Sequence, residues 1–220
     1  MTDTDLPTKD AEAPVPASPE VTAAEAGHDS LTHVTSTGIS NEKLAMWIFL
    51  GSECLLFGGL ISTYLLYKTT ADGGPIPADL YDIAFTSISS FVLLMSSLTM
   101  VLAVSAAARG DGARLRAWLM TTALLGSMFI AGQVYEFRQF VREGMGFTTS
   151  PASSAFFTLT GFHGVHVTLG IVMLLSAFVL SLRGRIPPAK AEAIEIVGLY
   201  WHFVDVVWIL IFTIVYLVPN

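Results

Sequence analysis

Residues 44–67 read LAMWIFLGSECLLFGGLISTYLLY, twenty-four residues in which Glu53 is the one charged side chain before the closing Lys68. At about 1.5 Å per residue a helix of this length reaches about 36 Å, enough to cross a hydrocarbon core with some tilt. A carboxyl group at that depth costs on the order of 2.5–3.5 kcal/mol on insertion scales. It is therefore either a working group or a hydrogen-bonding link to a neighbouring helix, and the stretch alone supports both readings equally.

The remainder of the 220 residues has the same character. The chain is 53% hydrophobic and 13% charged, with a mean hydropathy of +0.63, the composition of a membrane-embedded helical bundle. Four further apolar segments follow, at 83–108, 117–140, 153–182 and 193–218. Backbone polar groups in lipid must be satisfied within the segment, so all five are expected to be helices. The predicted fold is all-α: a five-helix transmembrane bundle over residues 43–220. The segment 83–108 carries Thr86, Ser87, Ser89, Ser90, Ser96, Ser97 and Ser105, small residues suited to close helix contact, and is expected to pack internally.

Residues 1–42 differ. They hold eight acidic residues against Lys9 alone, with Pro7, Pro14, Pro16 and Pro19 spread among them, and cannot bury a core. The prediction is a disordered, acidic, Pro/Ala-rich cytoplasmic tail in which His28 and His33 are solvated. It lacks the basic start and apolar run of a secretory signal. The net charge of −7 resides in this tail, since residues 43–220 hold ten basic and ten acidic side chains. No basic surface remains for nucleic acid.

Loop charge orients the bundle. With the N-terminus cytoplasmic, the inside segments hold Lys9, Lys43, Arg109, Arg114, Arg116, Arg183, Arg185 and Lys190, and the outside segments hold Lys68, Arg138 and Arg142. Eight against three predicts N-in, C-out. That places Glu53 in the cytoplasmic half of its helix and the turn at 71–75 outside. Trp47, Trp118 and Trp201 are expected near helix ends, in aromatic belts. No internal repeat suggests an inverted-repeat transporter.

The polar residues inside the spans are few. His163 and His166 lie three apart, as do His202 and Asp205, so each pair shares a helix face. A His202–Asp205 hydrogen bond would fix the imidazole tautomer. Gly161, Gly164 and Gly170 open room beside the first pair, and Gly51, Gly58 and Ser62 form a small-residue stripe beside Glu53. Three readings compete: metal or haem ligation by His163, His166 and His202; a proton relay through Glu53, His202 and Asp205; and structural hydrogen bonding between helices or to lipid. The third is the most economical, because the two histidines of the fourth span are one turn apart rather than opposed on two helices. Gln133 and Glu136 read as a helix emerging from the membrane. Cys54, the single cysteine, allows no internal disulfide and no Cys-based cluster. There is no Cys-x3-Cys, no GxGxxG and no nucleophile elbow, so redox chemistry is not expected of this chain.

Four stretches carry a resemblance: MWIFLGSECLLFGGL (46–60), GSMFIAGQVYEF (126–137), FFTLTGFHGVHVTLG (156–170) and GLYWHFVDVVWILIF (198–212). In order and content they resemble subunit III of the haem–copper respiratory oxidases, across about residues 43–218. The resemblance implies a non-catalytic membrane subunit of a proton-pumping terminal oxidase, an aa3- or caa3-type cytochrome c oxidase that reduces O2 to water in aerobic electron transport. Its implied partners are subunits I and II, which hold the haem and copper, with a fourth subunit, a respiratory supercomplex and membrane phospholipid as further associations. It implies no cofactor or metal on this chain and a place in the bacterial plasma membrane. Glu53, in Ser52-Glu53-Cys54, matches the family's carbodiimide-reactive glutamate, associated with proton uptake and durability of turnover. His163, His166, His202 and Asp205 match positions with structural or lipid-contacting roles. The chain is similar to the five-helix form and lacks two helices that wall a lipid cleft in the seven-helix form, which puts cleft lipid in doubt. Alternatives are subunit III of a ubiquinol oxidase, an assembly protein associated with nitric oxide reductase, and a stand-alone proton-coupled transporter.

Overall fold

The computed structural model describes residues 38–68, 83–186 and 191–217. Most of the expected tail, with His28 and His33, and the turn at 71–75 lie outside them. Among the described residues the chain is all-helical: α1 (Asn41–Lys68), α2 (Ile83–Ala108), α3 (Gly112–Arg142), α4 (Pro151–Leu182) and α5 (Ala191–Phe212), the last continuing as a π-helical turn, Thr213–Leu217. All five are long and apolar enough to cross a membrane.

The helix ends follow from local chemistry. The side chain of Asp111 accepts from the Arg114 N–H at 3.0 Å and caps α3, so that helix starts at Gly112, five residues before its apolar run. Ser150 accepts from the Ser153 N–H at 3.1 Å and caps α4 ahead of Pro151. Gly110, Gly144 and Gly184 follow α2, α3 and α4 with φ of 71°, 91° and 66°. The next N–H in each case turns back to close the helix: Asp111 to Ala106 O, Met145 to Phe140 O and Arg185 to Leu180 O, at 2.9–3.0 Å. A side chain with a Cβ would be strained at those left-handed positions.

The small residues of 83–108 pack α2 against both α3 and α5, but it is not internal: Ile88, Phe91, Leu98 and Val101 on its other face are exposed. Its hydroxyls receive the indoles of α5. Trp201 Nε1–H donates to Ser96 Oγ at 3.0 Å, and Trp208 Nε1–H donates to Ser90 Oγ at 2.9 Å. Thr99 and Thr122 join α2 to α3 through hydroxyls 2.8 Å apart. In lipid these bonds fix the register of antiparallel helices that apolar contact alone would leave free to slide. Trp201 is thus not a boundary residue: it is fully buried, clasped between Gly126 of α3 and Gly170 of α4. Replacing its partner, Ser96→Ala, leaves a buried indole N–H unsatisfied. It should lower stability by about 1–3 kcal/mol, read as a lower melting temperature of the detergent-solubilised protein.

α1 sits at the edge. Only 11% of its most apolar stretch is buried, against 44% for α5. One seam holds it, Leu50, Phe57 and Tyr64 at seven-residue spacing. At its start the Lys43 ammonium donates to Glu195 at 2.7 Å, and near its end the Lys68 ammonium reaches Ile214 O at 3.4 Å. The stripe expected to make a helix contact, Gly51 and Gly58 with Ser62, faces the other way. A Cβ at either glycine would meet nothing within 4 Å, because the large residues at 50, 57 and 64 claim the inward face. By contrast Gly164 receives the Gln133 side chain and Gly170 the Trp201 ring.

Candidate functional site

α1 and α4 place Glu53 and His166 opposite one another. Phe57, one turn from Glu53, holds the register: its ring meets His166 edge-on at 5.0 Å between centroids and His163 at 6.5 Å. His166 Nε2 lies 3.1 Å from Glu53 Oε2, and both side chains retain slight exposure in the α1–α4 crevice, 11% and 14%. His166 Nδ1 lies 2.8 Å from the Phe162 carbonyl, one turn back in α4. A carbonyl only accepts, so Nδ1 carries a hydrogen and donates. The Nε2–Oε2 contact then holds a proton of its own, since a bare ring nitrogen would otherwise face a carboxylate. It sits either on the imidazole, giving an imidazolium–carboxylate pair, or on the carboxyl, giving two neutral partners. Both arrangements have no net charge, and one hydrogen bond separates them. The pair is kept in place by a backbone carbonyl and an aromatic ring.

The other polar residues do different work. His163 is fully buried, stacked on Trp208 at 5.0 Å and met edge-on by Phe129 at 5.9 Å. Neither of its ring nitrogens has a hydrogen-bond partner among the described residues, so it serves as a flat packing element. His202 and Asp205 do not form the hydrogen-bonded couple that their spacing suggests. His202 Nδ1 is 2.6 Å from Ser97 Oγ on α2. The buried Asp205 carboxyl makes no hydrogen bond among the described residues. Three positions along α5 leave the two side chains about 60° apart around the helix, and the serine on the facing helix captures the imidazole. A relay from Glu53 through His202 and Asp205 therefore has no hydrogen-bonded connection here, and Glu53 is joined to His166 instead.

Gln133 and Glu136 also depart from the reading of a helix emerging into water. Gln133 is buried and donates through Nε2 to the Thr160 carbonyl of α4 at 2.7 Å. Glu136 accepts a hydrogen bond from the Thr86 hydroxyl of α2. Both are links between helices. The histidines do not converge on a common point, and no group of three His, Cys, Asp or Glu side chains able to hold a metal ion occurs among the described residues. Cys54 is exposed.

The Glu53–His166 pairing was not readable from either helix alone. Its signal is a matched spacing: Glu53 and Phe57 advance along α1 as His166 and His163 recede along α4. The same antiparallel matching sets Trp201 and Trp208 against Ser96 and Ser90.

Comparison with known proteins bears on what carries this arrangement. A family model described as cytochrome c oxidase subunit III matches residues 22–219. The cytochrome c oxidase subunit 3 of Bacillus sp. (strain PS3) is 40% identical over 177 residues, 80% of this chain and 86% of the relative. The quinol oxidase subunit 3 of Bacillus subtilis (strain 168) is 39% identical over 196 residues, 88% of this chain and 96% of the relative. The cytochrome bo(3) ubiquinol oxidase subunit 3 of Pseudomonas putida is 38% identical over 175 residues, 79% and 84% of the two chains. With five apolar helices in the structure and a match running nearly end to end, this multi-pass membrane chain belongs to the cytochrome c oxidase subunit III family of the haem–copper oxidases.

Proposed function

We propose that this chain is the non-redox third subunit of a proton-pumping terminal oxidase. It lies in the bacterial plasma membrane with its N-terminus cytoplasmic, packed against subunits I and II, which carry the haem and copper. Its task is to stabilise subunit I and to sustain proton supply, with Glu53 as the exchanging group and His166 as the partner that holds the proton between exchanges. The observation that carries this reading is the 3.1 Å Nε2–Oε2 contact with its Nδ1–H tied to a carbonyl. An intramembrane carboxyl built only as glue needs a donor; this one has a partner able to take its proton and return it.

The test is Glu53→Gln. Glutamine keeps the size and a hydrogen bond to the imidazole but exchanges no proton. The complex should assemble in normal amount, while its activity declines severalfold faster per turnover, followed as oxygen uptake over many turnovers. Unchanged durability and unchanged proton release would make the pair a structural tie.

Electron donor is a property of the whole complex. The similarity to a quinol oxidase subunit nearly as close as that to a cytochrome c oxidase subunit supports a quinol-oxidising complex as the second reading. A reduced-minus-oxidised spectrum of the complex purified through this chain separates the two. Haem a with copper beyond the active-site ion indicates cytochrome c oxidase; haem b or o without it indicates quinol oxidase.

A further inference from the structure

Among the described residues α1 makes few close backbone approaches to the other helices, whereas α2 lies against α3 and α5, and α4 against the same two. Directly after Phe57, in the middle of α1, stand Gly58 and Gly59. Glycine is a poor helix former because it gives up more backbone freedom than any other residue. At Gly126, Gly164 and Gly170 close packing offsets that cost, since each receives a neighbouring side chain. At Gly58 and Gly59 a Cβ would meet nothing within 4 Å, so packing does not account for the pair. The carbonyls of the same two residues are engaged a second time. Ser62 Oγ donates to Gly58 O and Thr63 Oγ1 to Gly59 O, each at 2.8 Å. Hydroxyls bonded back by four residues bend helices, and they keep a carbonyl satisfied where its backbone bond lengthens.

We propose that Gly58 and Gly59 form a hinge about which the N-terminal half of α1, residues 41–57, swings away from the bundle and parts Glu53 from His166. The half beyond the hinge stays docked: Tyr64 is fully buried, Lys68 nearly so, and Leu60 and Ile61 pack against the core. The swinging half is held by Leu50, by Phe57 at the pivot, and by the Lys43–Glu195 ion pair, whose side chains are 30% and 39% exposed. An ion pair that exposed is a weak latch. Glu53 lies about 7.5 Å and Lys43 about 22 Å along the helix axis from Gly58. A bend of about 20°, the size of an ordinary kink, carries Glu53 by about 2.6 Å and Lys43 by about 8 Å. The first shift breaks the 3.1 Å contact with His166 and the second opens the latch. Closed, the pair keeps its proton between two partners; open, the carboxyl and the imidazole each face the crevice. That the opening serves proton exchange rests on the role proposed for Glu53; the hinge itself does not.

The test measures distances between spin-label pairs by double electron–electron resonance, in the complex purified through this chain and in a Cys54→Ser background. Labels at Trp47→Cys and Leu182→Cys, both exposed positions, report the N-terminal half of α1 against α4; labels at Leu65→Cys and Val141→Cys report the other half against α3. The otherwise native chain should show a second, longer distance for the first pair and one distance for the second pair. Gly58→Ala/Gly59→Ala, whose added methyls face open space, should lower the longer-distance population at least fivefold. Gly58→Ala alone carries the test if the double variant fails to accumulate. Lys43→Gln, which removes the latch, should raise that population at least twofold. One distance for the first pair, or a longer-distance population that the alanines leave unchanged, overturns the hinge. Oxygen uptake over many turnovers reads its purpose: faster loss of activity in the stiffened variant, at normal assembly, supports a hinge serving Glu53, and wild-type durability overturns that service. If Glu53→Gln also leaves durability unchanged, the exchange role of the pair fails while the distances still decide the hinge.

Discussion

Gly126→Leu should prevent the chain from accumulating as a folded bundle, and Gly126→Ala should be among the most destabilising one-methyl changes in it. A Cβ at Gly126 would lie 2.5 Å from Cη2 and 2.9 Å from Cζ2 of Trp201, and one at Gly170 would lie 2.8 Å from Cε3 and Cζ3 on the same ring. The indole is rigid, fully buried and anchored through Nε1 to Ser96. It cannot yield toward α4, because Gly170 is already in contact with it, nor rotate without breaking the anchor. Overpacking of this kind typically costs about 1–3 kcal/mol and occasionally more. We expect Gly126→Ala near the top of that range. Trp201→Ala should lose about 3–5 kcal/mol through the cavity it leaves. The two effects should not add: Trp201→Leu makes room for the extra methyl and should recover part of the loss from Gly126→Ala. Melting temperatures of the four detergent-solubilised variants measure this directly, and a Gly126→Ala variant that melts like the wild type would refute the clasp.

The second large effect concerns the Glu53–His166 pair. His166→Leu should lower stability by about 1–3 kcal/mol, because it strands a largely buried carboxyl without its partner. Glu53→Leu, which strands the imidazole, should be comparable. The double variant, with both groups apolar, should return close to wild-type stability, since neither desolvated group then lacks a partner. The sign of the coupling is the point. If the losses from the single variants simply add, the 3.1 Å contact contributes nothing and the proton-holding pair is lost as an argument. Stability and durability of turnover should also part company: the double variant folds well yet lacks the exchanging group.

Helix number and type were legible in the sequence because apolar runs of membrane length admit little else. The start of α3 was not, since Arg114 and Arg116 precede the apolar run while the Asp111 cap, a local hydrogen bond, decides where the helix begins. From its place early in an apolar segment Trp201 reads as a boundary residue. In the structure α5 begins at Ala191, so ten residues carry Trp201 well inside, opposite two glycines from helices that no linear pattern connects to it. His202 and Asp205 share a stretch of one helix, but a partner is chosen by what faces each side chain, and Ser97 faces the imidazole. The same holds for Gln133 and Glu136: a polar residue near a membrane boundary reads as a surface residue until a neighbouring helix covers it. The resemblance points to Glu53; only the packing of α1 on α4 brings His166 to it.

The edge position of α1 has a consequence for biogenesis. Three of its polar ties reach the second half of the chain: Glu53 to His166, Lys43 to Glu195 and Lys68 to Ile214. At roughly 5–20 residues per second of synthesis, the 113 positions between Glu53 and His166 represent about 6–23 s. During that interval the first helix is in the membrane with its carboxyl awaiting a mate that the ribosome has not yet made. α2 and α3 can zip together behind it through Thr99 and Thr122, but α1 can dock only once α4 and α5 have been inserted. Of the five described helices the first in order thus docks only after the fourth and fifth, and until it does its acidic group stands open to whatever insertion machinery or neighbouring subunit is at hand.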